Sequence, residues 1–594
     1  MWRWSAVACG FLVAAAAVAV IALNQSGSDG PLPNSPDLPV IPFPGTPDAS
    51  PSSQVIFLSL ARRDVRRLTV TGSSSGRHSG RLTNLPTGRG TAFLPARPFT
   101  PGEVVRVSLV RRRARSSGQA RMSFWFRVAV AGAPEHTASG GTSSTKPPPT
   151  RSFHTRPGLH PPPVRTSVDP DERSGDIFLT PNDTPQDGAM ILNPQGRLIW
   201  FYPTNQSTFN LTVQHYRGQP VLTWWQGKVE KGGWGESGED EIMDRSYRVL
   251  TAVRAAEGYA ADLHEFQIIG GRTALLDAFV PVRADLSALG GPSNGTVYDC
   301  VIQKLDIRTG RLLWEWHALG HVPLTASFRR PQGSQPFDYF HLNSIQQLPN
   351  GNLLVSARNT WGVYEISSST GRVLWTLGGK HPSFKVAPGA IFEWQHDARQ
   401  HGDLITVFND AWDGLHDDHE ENESSAKVLK LSGDRVMLVH RYIHHPAVLS
   451  SSEGNVQRLS NGNLFVGWGA DPDFSEFTPD GRQIFNGSLP QGVTSYRAYR
   501  LRWRGQPVAP PALSLAARSG GGLTMWASWN GATDVAAWRV KGGSAPGHLT
   551  QLTTQPVRGF ETSITLPTRP RFLEVQALDD RGHLLGVSPV RAAP

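Results

Sequence analysis

Two short units alternate through residues 173–504, and that alternation limits what the chain can fold into more than any other feature. The first unit is a tight turn followed by an apolar strand. Asn350-Gly351-Asn352-Leu353-Leu354-Val355 and Asn461-Gly462-Asn463-Leu464-Phe465-Val466 are near copies, and His401-Gly402-Asp403-Leu404-Ile405 is a looser third. Gly270-Gly271-Arg272 and Arg217-Gly218-Gln219 hold the same place upstream. The second unit is a turn Gly, a polar residue and an apolar strand, often ending on Trp: Gly196-Arg197-Leu198-Ile199-Trp200, Gly310-Arg311-Leu312-Leu313-Trp314 and Gly371-Arg372-Val373-Leu374-Trp375. Weaker copies begin at Gly433 and Gly481. Asn-Gly supplies the positive φ angles of a two-residue hairpin. Alternating the units gives four-stranded modules of about 40–50 residues, the size of a propeller blade. The expected fold class is therefore all-β, with about six blades. A long sandwich or β-helix gives no reason for two hairpin signatures to alternate.

The flanks read differently. Val55–Leu60, Arg67–Val70, Val104–Leu109 and Ser123–Val128 are short apolar or alternating runs, which predict a small β-sandwich over 54–132. Leu523–Trp529, Val535–Val540 and Phe572–Ala577 predict an Ig/fibronectin-III-like β-sandwich over 505–594. The Pro, Ser, Asp and Gly content of 28–53 predicts a linker, and the Pro/Ser/Thr-rich stretch 133–172 a second one. At the N-terminus Arg3 precedes an uncharged Ala/Val-rich run from Ser5 to Leu23, so 1–27 reads as an export signal or membrane anchor. The expected location is outside the membrane, anchored through that helix or secreted after cleavage.

The net charge of +9 comes mainly from Arg. Without zinc-finger spacing, a recognition-helix pattern or an RNP-like motif it predicts a solvated basic face and no nucleic acid. The two cysteines, one of them Cys9 inside the apolar N-terminal run, build neither a disulfide framework nor a thiolate metal site.

In a propeller the first strand of every blade lines a central channel, so polar residues at matching offsets converge. Counted back from the hairpin Gly of each module, His264 precedes Gly271 by seven, His396 precedes Gly402 by six, Asn455 precedes Gly462 by seven and Asn343 precedes Gly351 by eight. His341 shares a strand face with Asn343, and Arg358 ends the next strand. Each of these residues alone is more often a core histidine or a structural ion pair. Together they are costly to desolvate unless they meet an anion or a metal. No acidic residue shares the offsets, which disfavours a zinc hydrolase with a carboxylate base. An arginine with several imidazoles suits a tetrahedral oxyanion such as sulfate, and a neutral imidazole can attack sulfur directly.

Residues 173–504 resemble the arylsulfotransferases, a family of six-bladed propellers, through Asp262-Leu263-His264, through Phe340-His341-Leu342-Asn343-Ser344 with Arg358 downstream, and through Trp394-Gln395-His396-Asp397. The resemblance implies transfer of a sulfuryl group from a small aryl sulfate to a phenolic acceptor without a cofactor or metal. It implies His396 as nucleophile, Arg358, His264 and His341 on the sulfate oxygens, and one histidine as acid and base. Asn343 and Asn455 are expected to contact substrate, with Trp394 or Trp412 stacking on the aryl ring. A homodimer is compatible with the sequence. The chain departs from the family in its flanking sandwiches and in lacking a paired cysteine near the active-site face.

Other features carry less. The acidic loop 413–423 lacks EF-hand spacing and reads as a solvated insertion, and His444-His445 before Pro446 reads as exposed. The competing reading is a non-catalytic cell-surface propeller that holds an anionic ligand or a protein. A quinone-dependent dehydrogenase propeller lacks its docking motifs here.

Overall fold

The computed structural model describes residues 38–112, 119–134, 147–168, 175–230, 232–415 and 421–594. The expected signal or anchor at 1–27, Asp417, Asp418 and Glu420 lie outside them. Among the described residues no helix is long and apolar enough to cross a membrane.

The chain is all-β. Between 175 and 501 it forms six sheets, each with a four-stranded antiparallel core to which short strands are added in sheets 3, 5 and 6. Sheet 1 joins Asp176–Leu179, Gly188–Leu192 and Leu198–Pro203 to the late strand Tyr499–Leu501, so the end of this region completes its beginning. The first strands of sheets 2 to 6 are Ser207–Tyr216, Phe266–Ile269, Leu342–Gln347, His396–His401 and Asn455–Arg458.

The repeat units explain this layout. Both Leu-x-Asn-Gly-Asn copies close in the same way: the N–H of Gly351 bonds to Leu348 O at 2.9 Å, and that of Leu348 to Asn352 O at 2.8 Å. Gly462 and Leu459 repeat the pattern at 3.0 and 2.8 Å. Only the glycine of each pair is left-handed, at φ 88° and 93°. The turn is thus a three-residue loop with a left-handed Gly, and not the two-residue type that the Asn-Gly pair suggested. The Trp-terminated strands pack between sheets: Trp314 Nε1 donates to Ser368 O (2.7 Å) and Trp316 Nε1 to Gly371 O (2.8 Å), from sheet 3 onto sheet 4.

Side-chain amides tie consecutive first strands together. Gln214 bonds to Phe266 O and Ile268 N, Gln267 to Ile345 O, Gln346 to Gln400 O and N, and Gln457 to Arg500 O and N, at 2.5–3.0 Å. The N–H of Val456 meets Asp397 Oδ2 at 3.1 Å. Asn182 closes the remaining junction onto both N and O of Thr208. Deeper lies an ion network in which Arg399 and Arg497 meet Glu265 and Asp397, two cations against two anions, with Arg399 half-buried and the other three nearly solvent-free. Such charges are tolerable only because they are mutually paired.

Before this region two four-stranded antiparallel sheets share a core of Val40, Phe57, Val70, Phe93, Val105, Phe124 and Phe126. After it, two further sheets share Leu523, Met525, Trp538, Leu573 and Val575. The composition of both expected linkers misleads. Within 28–53, Val40–Ile41 pairs with Val55–Phe57, and Leu38 and Phe43 are buried as well. Within 133–172, Arg165–Val168 adds a strand to the outer edge of sheet 6. Thr155 bonds to Glu561 through both its N–H (2.7 Å) and its hydroxyl (2.5 Å), while His154 stacks on Trp526 at 3.8 Å. Proline-rich chain is extended here because it is docked along neighbouring sheets.

Candidate active site

The starts of the first strands bring His264, His341 and His396 together. The rings of His264 and His341 lie 5.1 Å apart edge to face, and Tyr496 stands between the others at 5.5 Å from His264 and 6.2 Å from His396. All three imidazoles are buried. Each is backed by a carboxylate at Nδ1: Asp262 for His264, Asp338 for His341 at 2.5 Å, and Asp410 for His396 at 2.8 Å. Matching the offsets had suggested no acidic partner. The carboxylates come from outside the register, two and three residues before their histidines and fourteen residues after His396, just past the end of the adjacent strand Leu404–Asn409.

These pairs set the protonation states. Despite burial, the His264 imidazole and the Gly235 and His264 N–H groups hold Asp262 below its ordinary range. His341, Arg329 and Arg358 hold Asp338 down against its burial in the same way. Burial, then Arg358 and the two other histidines, keep His396 well below 6.5, so it is neutral. Its Nε2 accepts the Glu453 N–H at 3.3 Å, which assigns the ring proton to Nδ1, facing Asp410. Burial pushes Asp410 upward, Arg358 opposing and Glu453 adding. Burial, then Asp183, raises the Glu453 carboxyl to about 8.

Arg358 is buried and makes no ion pair among the described residues. It donates to Asn359 Oδ1 (3.2 Å) and Ser451 O (2.9 Å), and its Nε–H has no partner. Its guanidinium lies 5.1 Å from the Trp394 ring, with that of Arg329 at 5.3 Å from the same ring. Trp394 meets Trp361 edge to face at 5.3 Å, and Trp361 stacks on Phe328 at 3.6 Å. Trp412 sits between Asp410 and Asp413, which pairs with Arg329, and its Nε1 is buried without a partner.

Backbone strain collects at the site. His341, Trp394, Asp397, Ala411 and Glu453 all have φ between 53° and 70°, a conformation that costs a non-glycine residue roughly 1–2 kcal/mol.

The two asparagines depart from expectation. Asn455 spends Nδ2 and Oδ1 on the O and N of Ala498, at 2.9 Å each. Asn343 donates to Gln395 O at 2.7 Å, and Asn210 of sheet 2 likewise bonds to Leu263 O at 2.7 Å. In these three first strands the amide is a staple to the next sheet. His444, expected exposed, is buried and bonds through Nε2 to Asn486 at 2.9 Å. Sequence reasoning missed Tyr496, Glu453 and the three aspartates. Only Asp262 carried a local signal, inside Asp-x-His.

Among the described residues two sets of three side chains bring possible metal-ligand atoms within 4.8 Å: Asp262, His264 and Asp277, and Asp48, Asp299 and His317. In the first set both oxygens of Asp262 are already hydrogen-bonded, to His264 and to Gly235 N–H.

Carboxylate-backed imidazoles beside a guanidinium with a free donor offer an anionic group both hydrogen-bond donors and a nitrogen nucleophile. Residues 212–489 match the family model of arylsulfotransferase (ASST), a family of enzymes that transfer sulfuryl groups and act on small aryl sulfates and phenols. Among solved structures, a Bacteroides caccae protein of unknown function overlaps at 14% identity and TM-score 0.34, covering 55% of this chain and 98% of its own. Kuenenia stuttgartiensis hydrazine synthase overlaps at 11% identity and TM-score 0.29, covering 58% and 81%. Overlaps this slight carry no inference. No curated protein matches the chain.

Proposed function

We propose that the chain is an exported aryl sulfate:phenol sulfotransferase that works by ping-pong transfer through a sulfohistidine at His396, on a six-bladed propeller flanked by two β-sandwiches. The observation that carries the reading is His396 itself: a buried, neutral imidazole whose Nε2 keeps its lone pair, with Asp410 behind it and Arg358 beside it. Six four-stranded sheets stapled in succession, the last to the first, support the propeller. The apolar run Ser5–Leu23 supports export.

In the first half-reaction the His396 Nε2 lone pair gives up its long 3.3 Å contact with the Glu453 N–H and attacks sulfur; the S–O(aryl) bond breaks, and its electrons leave on the phenolic oxygen. Arg358 stabilises charge on the SO3 unit, with its unpaired Nε–H as the available donor. The leaving oxygen needs a proton. His264 and His341 are anchored at Nδ1 by carboxylates, so one of them, entering as the imidazolium, gives its Nε2 proton to the leaving oxygen. In the second half-reaction the acceptor phenol gives its proton to the same nitrogen, attacks sulfur and releases His396. Trp394, Trp361 and Phe328 offer aromatic faces for the aryl groups.

The test is steady-state kinetics on the full chain with 4-nitrophenyl sulfate and varied phenol. Parallel double-reciprocal lines, and loss of turnover in His396→Ala without loss of fold, are expected. Intersecting lines, or turnover retained in His396→Ala, refute the covalent route.

A further inference from the structure

Away from the histidine site, Asp48, Asp299 and His317 converge in a closed pocket, with exposures of 4%, 0% and 3%. Asp299 lies on Gly295–Asp306 and His317 ends Arg311–His317, two paired strands of sheet 3. Asp48 comes from the N-terminal segment that composition marked as linker. Nε2 of His317 pairs with Glu315 Oε1 at 3.1 Å, and Gln303 fixes the other Glu315 oxygen at 2.6 Å. Nδ1 then faces Asp299 Oδ2 at 2.8 Å and Asp48 Oδ1 at 3.4 Å.

Two observations point to a ligand. Neither oxygen of the buried Asp48 carboxylate has a close hydrogen-bond partner, and its one ion-pair contact is His317 at 3.4 Å, an imidazole it shares with Asp299 and Glu315, an expensive arrangement for an anion unless a further cation meets it. Three carboxylates also surround one imidazole, so even an imidazolium leaves the pocket negative. A histidine that gives one nitrogen to a carboxylate while the other faces further carboxylates is the outer-shell pattern of a metal-bound imidazole. With metal–ligand distances of about 2.0–2.2 Å, tetrahedral ligands stand roughly 3.4 Å apart, the spacing found between His317 and Asp48.

We propose that Asp48, Asp299 and His317 bind a divalent transition-metal ion of the zinc class, which fastens the N-terminal segment onto sheet 3. The ion is structural, because no reacting group of the histidine site belongs to the pocket. The contacts around it agree: Ser50 Oγ donates to Glu257 O and Gln54 N–H to Glu257 Oε1, both at 2.9 Å, and Phe43 packs edge to face on Trp314. The ion completes a docking already made by these groups.

The test uses the full chain, stripped with a chelator and re-exposed to Zn2+, with metal content measured after dialysis and Tm recorded in both states. One Zn2+ per wild-type chain and a Tm gain on Zn2+ addition are expected, both lost in Asp48→Asn and in His317→Gln. Asp48→Asn keeps size and polarity, and the wild-type measurement stands even if His317→Gln fails to fold. Wild type that binds no Zn2+, Co2+ or Mn2+ overturns the proposal, since protons on the imidazole and the carboxyl groups must then balance the pocket's charge. Stoichiometric metal retained in both variants also overturns it, by placing the ion elsewhere.

Discussion

Glu453→Gln changes how stability depends on pH, and the direction follows from the structure. The side chain is largely enclosed, its Oε2 is buried without a hydrogen-bond partner, and burial raises its pKa from 4.5 to about 8. A group whose folded pKa exceeds its unfolded value contributes stability that is complete below the unfolded value and is lost as pH rises through the folded one. The loss therefore runs from about pH 4.5 to about pH 8. At about 1.4 kcal/mol per pKa unit the shift has a ceiling near 5 kcal/mol, and relaxation and water entry reduce this to about 2–4 kcal/mol. Gln is nearly isosteric and does not ionise. Denaturant melts of wild type and Glu453→Gln at pH 5 and pH 8 isolate the effect, because every other titrating group is common to both chains. The variant gains about 2–4 kcal/mol relative to wild type on going from pH 5 to pH 8. Parallel profiles, or a relative loss at pH 8, refute a protonated Glu453 beside His396.

Two further outcomes test the site. Asn455→Ala leaves the N–H and C=O of buried Ala498 without their 2.9 Å partners, so stability falls by about 2–4 kcal/mol while KM for aryl sulfate stays within about twofold; a raised KM at unchanged stability restores the asparagine to substrate binding. Arg358→Met removes a charge that helps burial keep His396 neutral, so the acid limb of kcat/KM moves up toward the ordinary imidazole range as activity drops about 30- to 100-fold; an unmoved limb separates Arg358 from His396.

The repeat was legible because its determinants are local. A left-handed Gly after Asn marks two modules, a Trp closing the outer strand marks three, and looser copies fill the rest. His264, His341, His396 and Arg358 were legible because offset from the turn maps onto depth in the strand. Asp338 and Asp410 were not, because their contacts depend on how a loop returns past its own histidine. Asn455 was misread because an amide at a matching offset suits a ligand or a neighbouring backbone equally, and only the position of Ala498 decides. The segments around Asp48 and Thr155 have linker composition, yet their prolines lie along docked, extended chain, and no local signal separates that state from a free one.

The most direct measurement of the central claim is the mass of the intact chain, briefly exposed to 4-nitrophenyl sulfate without acceptor, followed by peptide mapping at neutral pH. One acid-labile SO3 adduct on the peptide containing His396, formed with a nitrophenol burst and discharged by added phenol, is the predicted result. A burst without an adduct, or an adduct on another residue, contradicts it.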